Sequence, residues 1–187
     1  AGAKTALMEV DEIALDYLHA HGREPKACFT SDADAVFAAS YDIDLSTVTP
    51  IVAKPHFVDH VCPAEEAAGI RIDEAFLGSC NNGRIEDLRV GAAIIKGKKV
   101  HPLVRFLVVP ASQAVYCQAL KEGLLQIFME AGAIVMNPNC SVCWGSCQGV
   151  IGEGETLIST GTRNFKGRAG HRDSFVYLAS AATVTAS

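Results

Sequence analysis

Short apolar runs alternate with helical patterns between residues 74 and 138, and this alternation constrains the fold more than any other feature. EAFLGSC is an apolar run that ends in Gly78 and Ser79 before Cys80. IEDLRVGAAIIK, following Arg84, carries helical spacing as far as Lys96 in spite of Gly91. VRFLVVP (104–110) is a buried-type strand closed by Pro110, and Ser112 suits the cap of a helix running through Ala119 and Leu120, with a break near Gly123. AIVMNP (133–138) is a further buried-type strand leading into Asn139 and Cys140. Strand, helix, strand, helix and strand at these lengths predict βαβ units. The fold class is therefore α/β, a three-layer-like domain with a mainly parallel sheet whose strands are covered on both faces. Sites in such sheets gather at the carboxyl ends of the strands, where both Cys80 and Cys140 fall.

The segment before this core reads less regularly. Residues 6–20 carry apolar positions at helical spacing, with Asp11 and Glu12 early in the stretch and Gly22 as its stop. Alternation around Ala35–Ser40 and again over Tyr41–Leu45 predicts strands joined by acidic turns. IVAKPHFVDH predicts a short strand broken by Pro55, with His56 and His60 in loop or structural roles. No repeat, low-complexity tract or linker divides the chain, so residues 1–187 are expected to form a single domain.

Composition excludes several classes. Hydrophobic residues are 49% and charged residues 20%, an ordinary globular balance, and no run approaches the ~18 apolar residues of a membrane span. The first residues lack the basic and apolar regions of a secretory signal, so the expectation is a cytoplasmic protein with no membrane partner. A net charge of −5 argues against a nucleic-acid face, and Lys96, Lys98 and Lys99 read as a solvated turn after a helix. Small anions stay within reach, because a few arginines bind them whatever the total charge.

Seven cysteines (28, 62, 80, 117, 140, 143 and 147) are the chemical signal. An odd number without a secretory signal makes a poor disulfide framework. Cys140-Ser-Val-Cys143 is a CxxC pair, whose spacing lets two thiolates meet one metal or cluster. Alone it is ambiguous among zinc, redox and cluster roles; its late position among Asn, Pro and Gly disfavours the redox one. Cys80, in the turn GSCNNGR, is the natural third ligand, and Cys147 could complete a four-thiolate zinc or closed cluster site. Cys28, Cys62 and Cys117 read as structural.

Four segments then carry a resemblance. GSCNNGRIEDLR resembles a GSC-T-N segment with an acidic helix start, and NPNCSVCWG resembles a PxCxxC loop. STGTRNFKGRAG is similar to the S-x-x-RNFxGR signature, and IDLSTVTPIVAKPH to the segment ahead of the first cluster cysteine. Together, in this order and spacing, they resemble the aconitase superfamily, within it the large subunits of isopropylmalate isomerase, homoaconitase and related small-acid hydratases. The resemblance runs from about Gly2 to the C-terminus. It implies that Cys80, Cys140 and Cys143 ligate three irons of a [4Fe–4S] cluster and that the fourth iron, without a protein ligand, acts as a Lewis acid. Cys147 is then not a ligand. Arg163 and Arg168 fall on the two arginines of the signature and would fork onto substrate carboxylates; without the resemblance, arginines in such a loop are ordinary surface residues. Asn82 matches the asparagine after the first cysteine and would hydrogen-bond near the cluster and substrate. The chain departs from the pattern at Asn81, where threonine is usual, and at Thr162, where aconitases have asparagine.

The implied activity is a hydro-lyase reaction, dehydration and rehydration of a hydroxy di- or tricarboxylic acid such as 3-isopropylmalate or homocitrate. The resemblance puts the catalytic base outside the matched portion, so the chain is expected to be a fragment lacking two upstream domains and a separate small subunit, and inactive alone. Two alternatives are a four-cysteine zinc module and an RNA-binding aconitase-like protein, the latter disfavoured by charge.

Overall fold

A computed structural model describes residues 5–187. The chain divides into two compact units, Ala1–Val48 and Thr49–Ser187. In the first, helix α1 spans Glu12–Ala20. It starts six residues later than the periodicity predicts, because Asp11 caps it: its carboxylate accepts from the Ala14 amide at 2.8 Å. The two strands expected over Ala35–Ser40 and Tyr41–Leu45 do not form. The stretch is irregular up to a 3₁₀ turn at Leu45–Thr47, which Asp44 caps through the Ser46 amide at 2.9 Å. Alternating aspartates favour such side-chain-to-backbone turns, and the apolar residues between them (Val36, Phe37, Tyr41) stay exposed.

The second unit is a seven-stranded sheet: β1 (Ile51–Ala53), β2 (Val61–Pro63), β3 (Glu74–Gly78), β4 (Arg105–Val109), β5 (Ile134–Val135), β6 (Thr156–Ser159) and β7 (Phe175–Leu178), in the order β2-β1-β7-β6-β3-β4-β5. The five strands from β3 to β7 are parallel to one another, while β1 runs antiparallel to both β2 and β7. The expected mainly parallel α/β sheet is therefore present, with an antiparallel hairpin added at one edge. From β3 the chain winds outward through α3 (Ile85–Ile95) to β4, then through α4 (Gln113–Lys121) and α5 (Leu124–Ala131) to β5. It returns to place β6 on the other side of β3. The winding reverses at β3, and the crevice at its carboxyl end is the switch point of the sheet.

Period-two alternation assigns each strand two faces. Ala75, Leu77, Phe106, Val108 and Ile158 pack against the helices through Leu88, Ala92, Leu125, Phe128 and, from the last helix α6 (Ala181–Ala186), Val184. Phe76, Leu107, Val109, Leu157 and Val176 pack on the opposite face against Met136, Val142, Ile151 and Ala169. That second layer consists of loops, and the CxxC pair and the arginine signature lie within them. Gly123 separates α4 from α5 in the left-handed conformation (φ 74°), as the expected break requires.

Candidate metal and anion site

The residues singled out in the sequence sit after the carboxyl ends of three parallel strands. β3 ends at Gly78, and a single helical turn, α2 (Ser79–Asn82), carries Cys80 and Asn82. β5 leads into the loop with Cys140 and Cys143. β6 leads into Thr160, Gly161, Thr162 and Arg163.

The CxxC loop is shaped by the two residues between its cysteines. Val142 is fully buried in the loop-covered core, and buried Ser141, at φ 43°, takes the Asn139 side-chain oxygen on its amide at 2.5 Å and donates its hydroxyl to the Gln148 carbonyl at 2.7 Å. With the central pair turned inward, Cys140 is left exposed and Cys143 half-buried. The arginine loop holds this loop from the side. Arg168 Nε donates to the Cys143 carbonyl at 2.7 Å, and its guanidinium lies 5.5 Å from the Phe165 ring centre. Gly145, at φ 73°, runs so close to Arg168 that a Cβ would collide with the Arg168 carbonyl, which is why glycine stands there. On the other side of the same loop, a Cβ on Gly161 would lie 3.8 Å from Cys143 Sγ.

The Cys80 turn is tied to the arginine loop as well. The Asn82 side chain donates to the Thr160 carbonyl. The Thr160 hydroxyl accepts from the Gly78 amide at 2.9 Å and donates to the Gly78 carbonyl at 3.1 Å. Arg163 is exposed and donates to the Thr162 carbonyl at 2.8 Å. Asn164, between the predicted arginine and Phe165, is fully buried; its side-chain nitrogen donates to the carbonyls of Lys54 (2.8 Å) and Phe57 (3.2 Å), while its Oδ1 has no partner. His56, in the loop that Asn164 holds, stacks near Phe175 at 6.0 Å. The segment 159–168 is thus the hub that joins the Cys80 turn, the CxxC loop and the KPH loop.

All seven cysteines are free thiols. Of the three read as structural, Cys62 is buried, while Cys28 and Cys117 are exposed. Cys147 is exposed, on the same loop as the CxxC pair. Among the described residues no three Cys, His, Asp or Glu side chains stand together as a metal-holding group, so Cys80, Cys140 and Cys143 are not gathered onto one point. The donors fit an iron–sulfur group in their chemistry: soft thiols without disulfide partners, on loops of one sheet edge, with a side-chain-free Gly161 beside Cys143.

A family model for the aconitase family (aconitate hydratase) matches residues 60–187. The chain belongs to the aconitase family. Its similarity to relatives in that family extends over the whole chain. It is 48% identical over 187 residues to a 3-isopropylmalate dehydratase large subunit of Hydrogenobaculum sp. (strain Y04AAS1). Identity is 49% over 192 residues with the 3-isopropylmalate dehydratase large subunit of Aquifex aeolicus (strain VF5), and 48% over 186 residues with a probable 3-isopropylmalate dehydratase large subunit of Methanothermobacter thermautotrophicus. Each comparison covers 100% of this chain and 44% of the relative, so the chain spans less than half the length of these aconitase-family proteins.

One further cluster lies at the amino end of the sheet, away from the cysteines, and no motif announced it. Glu74 opens β3 with no exposed surface. Arg105, opening β4, donates Nε to Glu74 at 2.9 Å and forks onto Glu155 at 2.9 and 2.8 Å. Burial pushes the Glu74 carboxyl up to about 7 and prevails over the attraction of Arg105, whose other donors are committed to Glu155. The same fork, with the Gly152 amide, holds Glu155 below its usual value. Among the described residues no helix is long and apolar enough to cross a membrane.

Proposed function

We propose that this chain is the cluster-bearing part of the large subunit of a hydro-lyase acting on a hydroxy di- or tricarboxylic acid, with 3-isopropylmalate as the substrate favoured by the relatives' names. The observation that carries the reading is the union of three free thiols and two signature arginines on loops around one switch point, in a chain of the aconitase family. In this reading Cys80, Cys140 and Cys143 hold a [4Fe–4S] cluster, and Cys147 does not. The cluster supplies, when bound, a Lewis-acidic iron without a protein ligand, open to the substrate's hydroxyl and carboxylate oxygens.

The chain's own residues do the remaining work on this side of the site. Arg163, whose guanidinium is largely in solvent, takes a substrate carboxylate through paired charge-assisted hydrogen bonds. Arg168 contributes its free terminal nitrogens to a second carboxylate while Nε keeps the CxxC loop in register. Asn82 and Thr160 fix the Cys80 turn. The proton on carbon is removed by a base contributed by the rest of the enzyme, and the partners are the remaining large-subunit domains and a small subunit. We read all of residues 1–187 as serving this one iron–sulfur portion, in a cytoplasmic enzyme without nucleic-acid or membrane partners.

The test is water loss from 3-isopropylmalate, homocitrate and citrate-like acids by the complete large subunit assembled with its small subunit. Activity on one of these acids, abolished by Cys80→Ser, Cys140→Ser or Cys143→Ser and kept by Cys147→Ser, supports the reading. Arg163→Lys then raises KM by about tenfold or more, the loss expected of one bidentate carboxylate contact. Activity indifferent to Cys80 and Cys140 contradicts it.

A further inference from the structure

We propose that Thr160 is the positioning residue for Cys80: its hydroxyl, by engaging both backbone groups of Gly78, holds the ligand-bearing turn in the conformation that receives the cluster, an inference that rests on the cluster reading above. The turn does not hold itself. α2 is four residues long, and its closing bond is the one from the Gly83 amide to the Ser79 carbonyl at 3.0 Å. Its first residue, buried Ser79, has φ 81°, a left-handed conformation that is costly for a non-glycine residue and persists only where the surroundings impose it.

Two walls impose it. On the β4 side, Gly78 and Gly83 lie so close to the Val109 carbonyl that neither has room for a Cβ, and the Ala111 amide donates to the Gly83 carbonyl at 2.8 Å. On the β6 side stands Thr160, 2% exposed. Its amide donates to the Phe76 carbonyl at 3.0 Å, its hydroxyl both accepts from and donates to Gly78, and its carbonyl receives the Asn82 side chain. All of these bonds run to β3 or to the Cys80 turn. The next residue, Gly161, is the one beside Cys143 Sγ, so a single dipeptide faces both ligand segments.

The hydroxyl is not needed to build the sheet. Register between β3 and β6 is already set by the Glu74–Leu157, Ala75–Ile158 and Phe76–Ser159 pairs, and valine, equally β-branched, keeps the shape of threonine in an extended chain. Thr160→Val therefore removes the two bonds to Gly78. Thr160→Ser keeps them.

The experiment compares wild type, Thr160→Val, Thr160→Ser and Asn82→Ala on the full chain, by hydrogen exchange of the metal-free protein and by iron retention against a chelator after anaerobic reconstitution. Thr160→Val is expected to speed exchange over residues 78–82 by about tenfold, with the peptides of β4 and β7 unchanged, and Thr160→Ser to match wild type. Iron in Thr160→Val is expected to be lost at about tenfold lower chelator concentration. Wild-type protection of 78–82 in Thr160→Val, an acceleration spread evenly over the sheet, or failure of serine to rescue would each overturn the proposal. Should Thr160→Val not fold, Asn82→Ala breaks Thr160's other bond to the turn, the one through its carbonyl, and unchanged exchange at 79–82 there overturns Thr160 as the residue that holds the turn. If the wild type retains no iron, the cluster reading fails while the exchange comparison still decides whether Thr160 positions the turn.

Discussion

Glu74 is the residue whose chemistry departs furthest from its surroundings. Its side chain has no exposed surface, and Oε1 lies buried without a partner while Oε2 takes the Arg105 Nε. Its folded pKa of about 7 stands above the ordinary value near 4.5, so the folded chain holds a proton that the unfolded chain releases between those values. The stability this provides is fully present below about pH 4.5 and is lost as pH rises through about 7, on the order of 3 kcal/mol over that window. Glu74→Gln, neutral at every pH, flattens this slope; urea unfolding at pH 5 and pH 8 measures it, and an unchanged slope contradicts the assignment. Asn164 makes the opposite case, a buried amide whose nitrogen is fully used. Asn164→Ala releases the carbonyls of Lys54 and Phe57 and destabilises the chain by about 1–2 kcal/mol, read from the urea midpoint. Neither residue was visible in the sequence: Glu74 belongs to no motif, and Asn164 sits inside one whose arginines draw the attention. The cysteines were visible because thiol chemistry depends on residue type and spacing, which a sequence prints directly.

At the scale of elements, α3 carries the most specific consequence. Gly91 is a poor residue for a helix interior, worth about 1 kcal/mol less than alanine. Yet a Cβ there would stand 2.6 Å from Leu77 Cδ2 and 3.1 Å from Phe128 Cζ, both fully buried. Overpacking of this kind costs about 1–3 kcal/mol and outweighs the gain in propensity. Gly91→Ala is therefore expected to lower stability by about 1 kcal/mol, measured by thermal or urea unfolding, whereas propensity alone predicts a rise. The strands β3, β4 and β5 and the helices between them were legible because continuous apolar runs and 3.6-residue spacing are local signals. β6 carries a comparable apolar core but leads into a segment read for its motif, and its pairing with β3 across 83 residues, like that of β7 with β6, is a tertiary fact. The strands expected over residues 35–45 failed for the complementary reason: alternation was present, but among the described residues no strand pairs with that stretch.

For the whole molecule, the candidate site depends on the reversal of winding at β3, which brings together segments distant in sequence. The order β6-β3-β4-β5 sets Gly78, Ser159 and Val135 at one edge, so residues 80, 140–143 and 160–168 share it. The composition proposed for the site comes from four motifs, since each motif names its residue types. Its connections were not legible: that Arg168 serves the Cys143 carbonyl and Thr160 the Gly78 backbone depends on the tertiary placement of segments 25 and 82 residues apart. Closest to the central claim is the iron and acid-labile sulfide content of the anaerobically reconstituted chain, with its EPR spectrum, for wild type and for Cys80→Ser, Cys140→Ser, Cys143→Ser and Cys147→Ser. The account predicts a cluster in the wild type and in Cys147→Ser and its loss in the other three. Zinc without sulfide, retained only while Cys147 is present, would contradict the account and leave a structural metal module in its place.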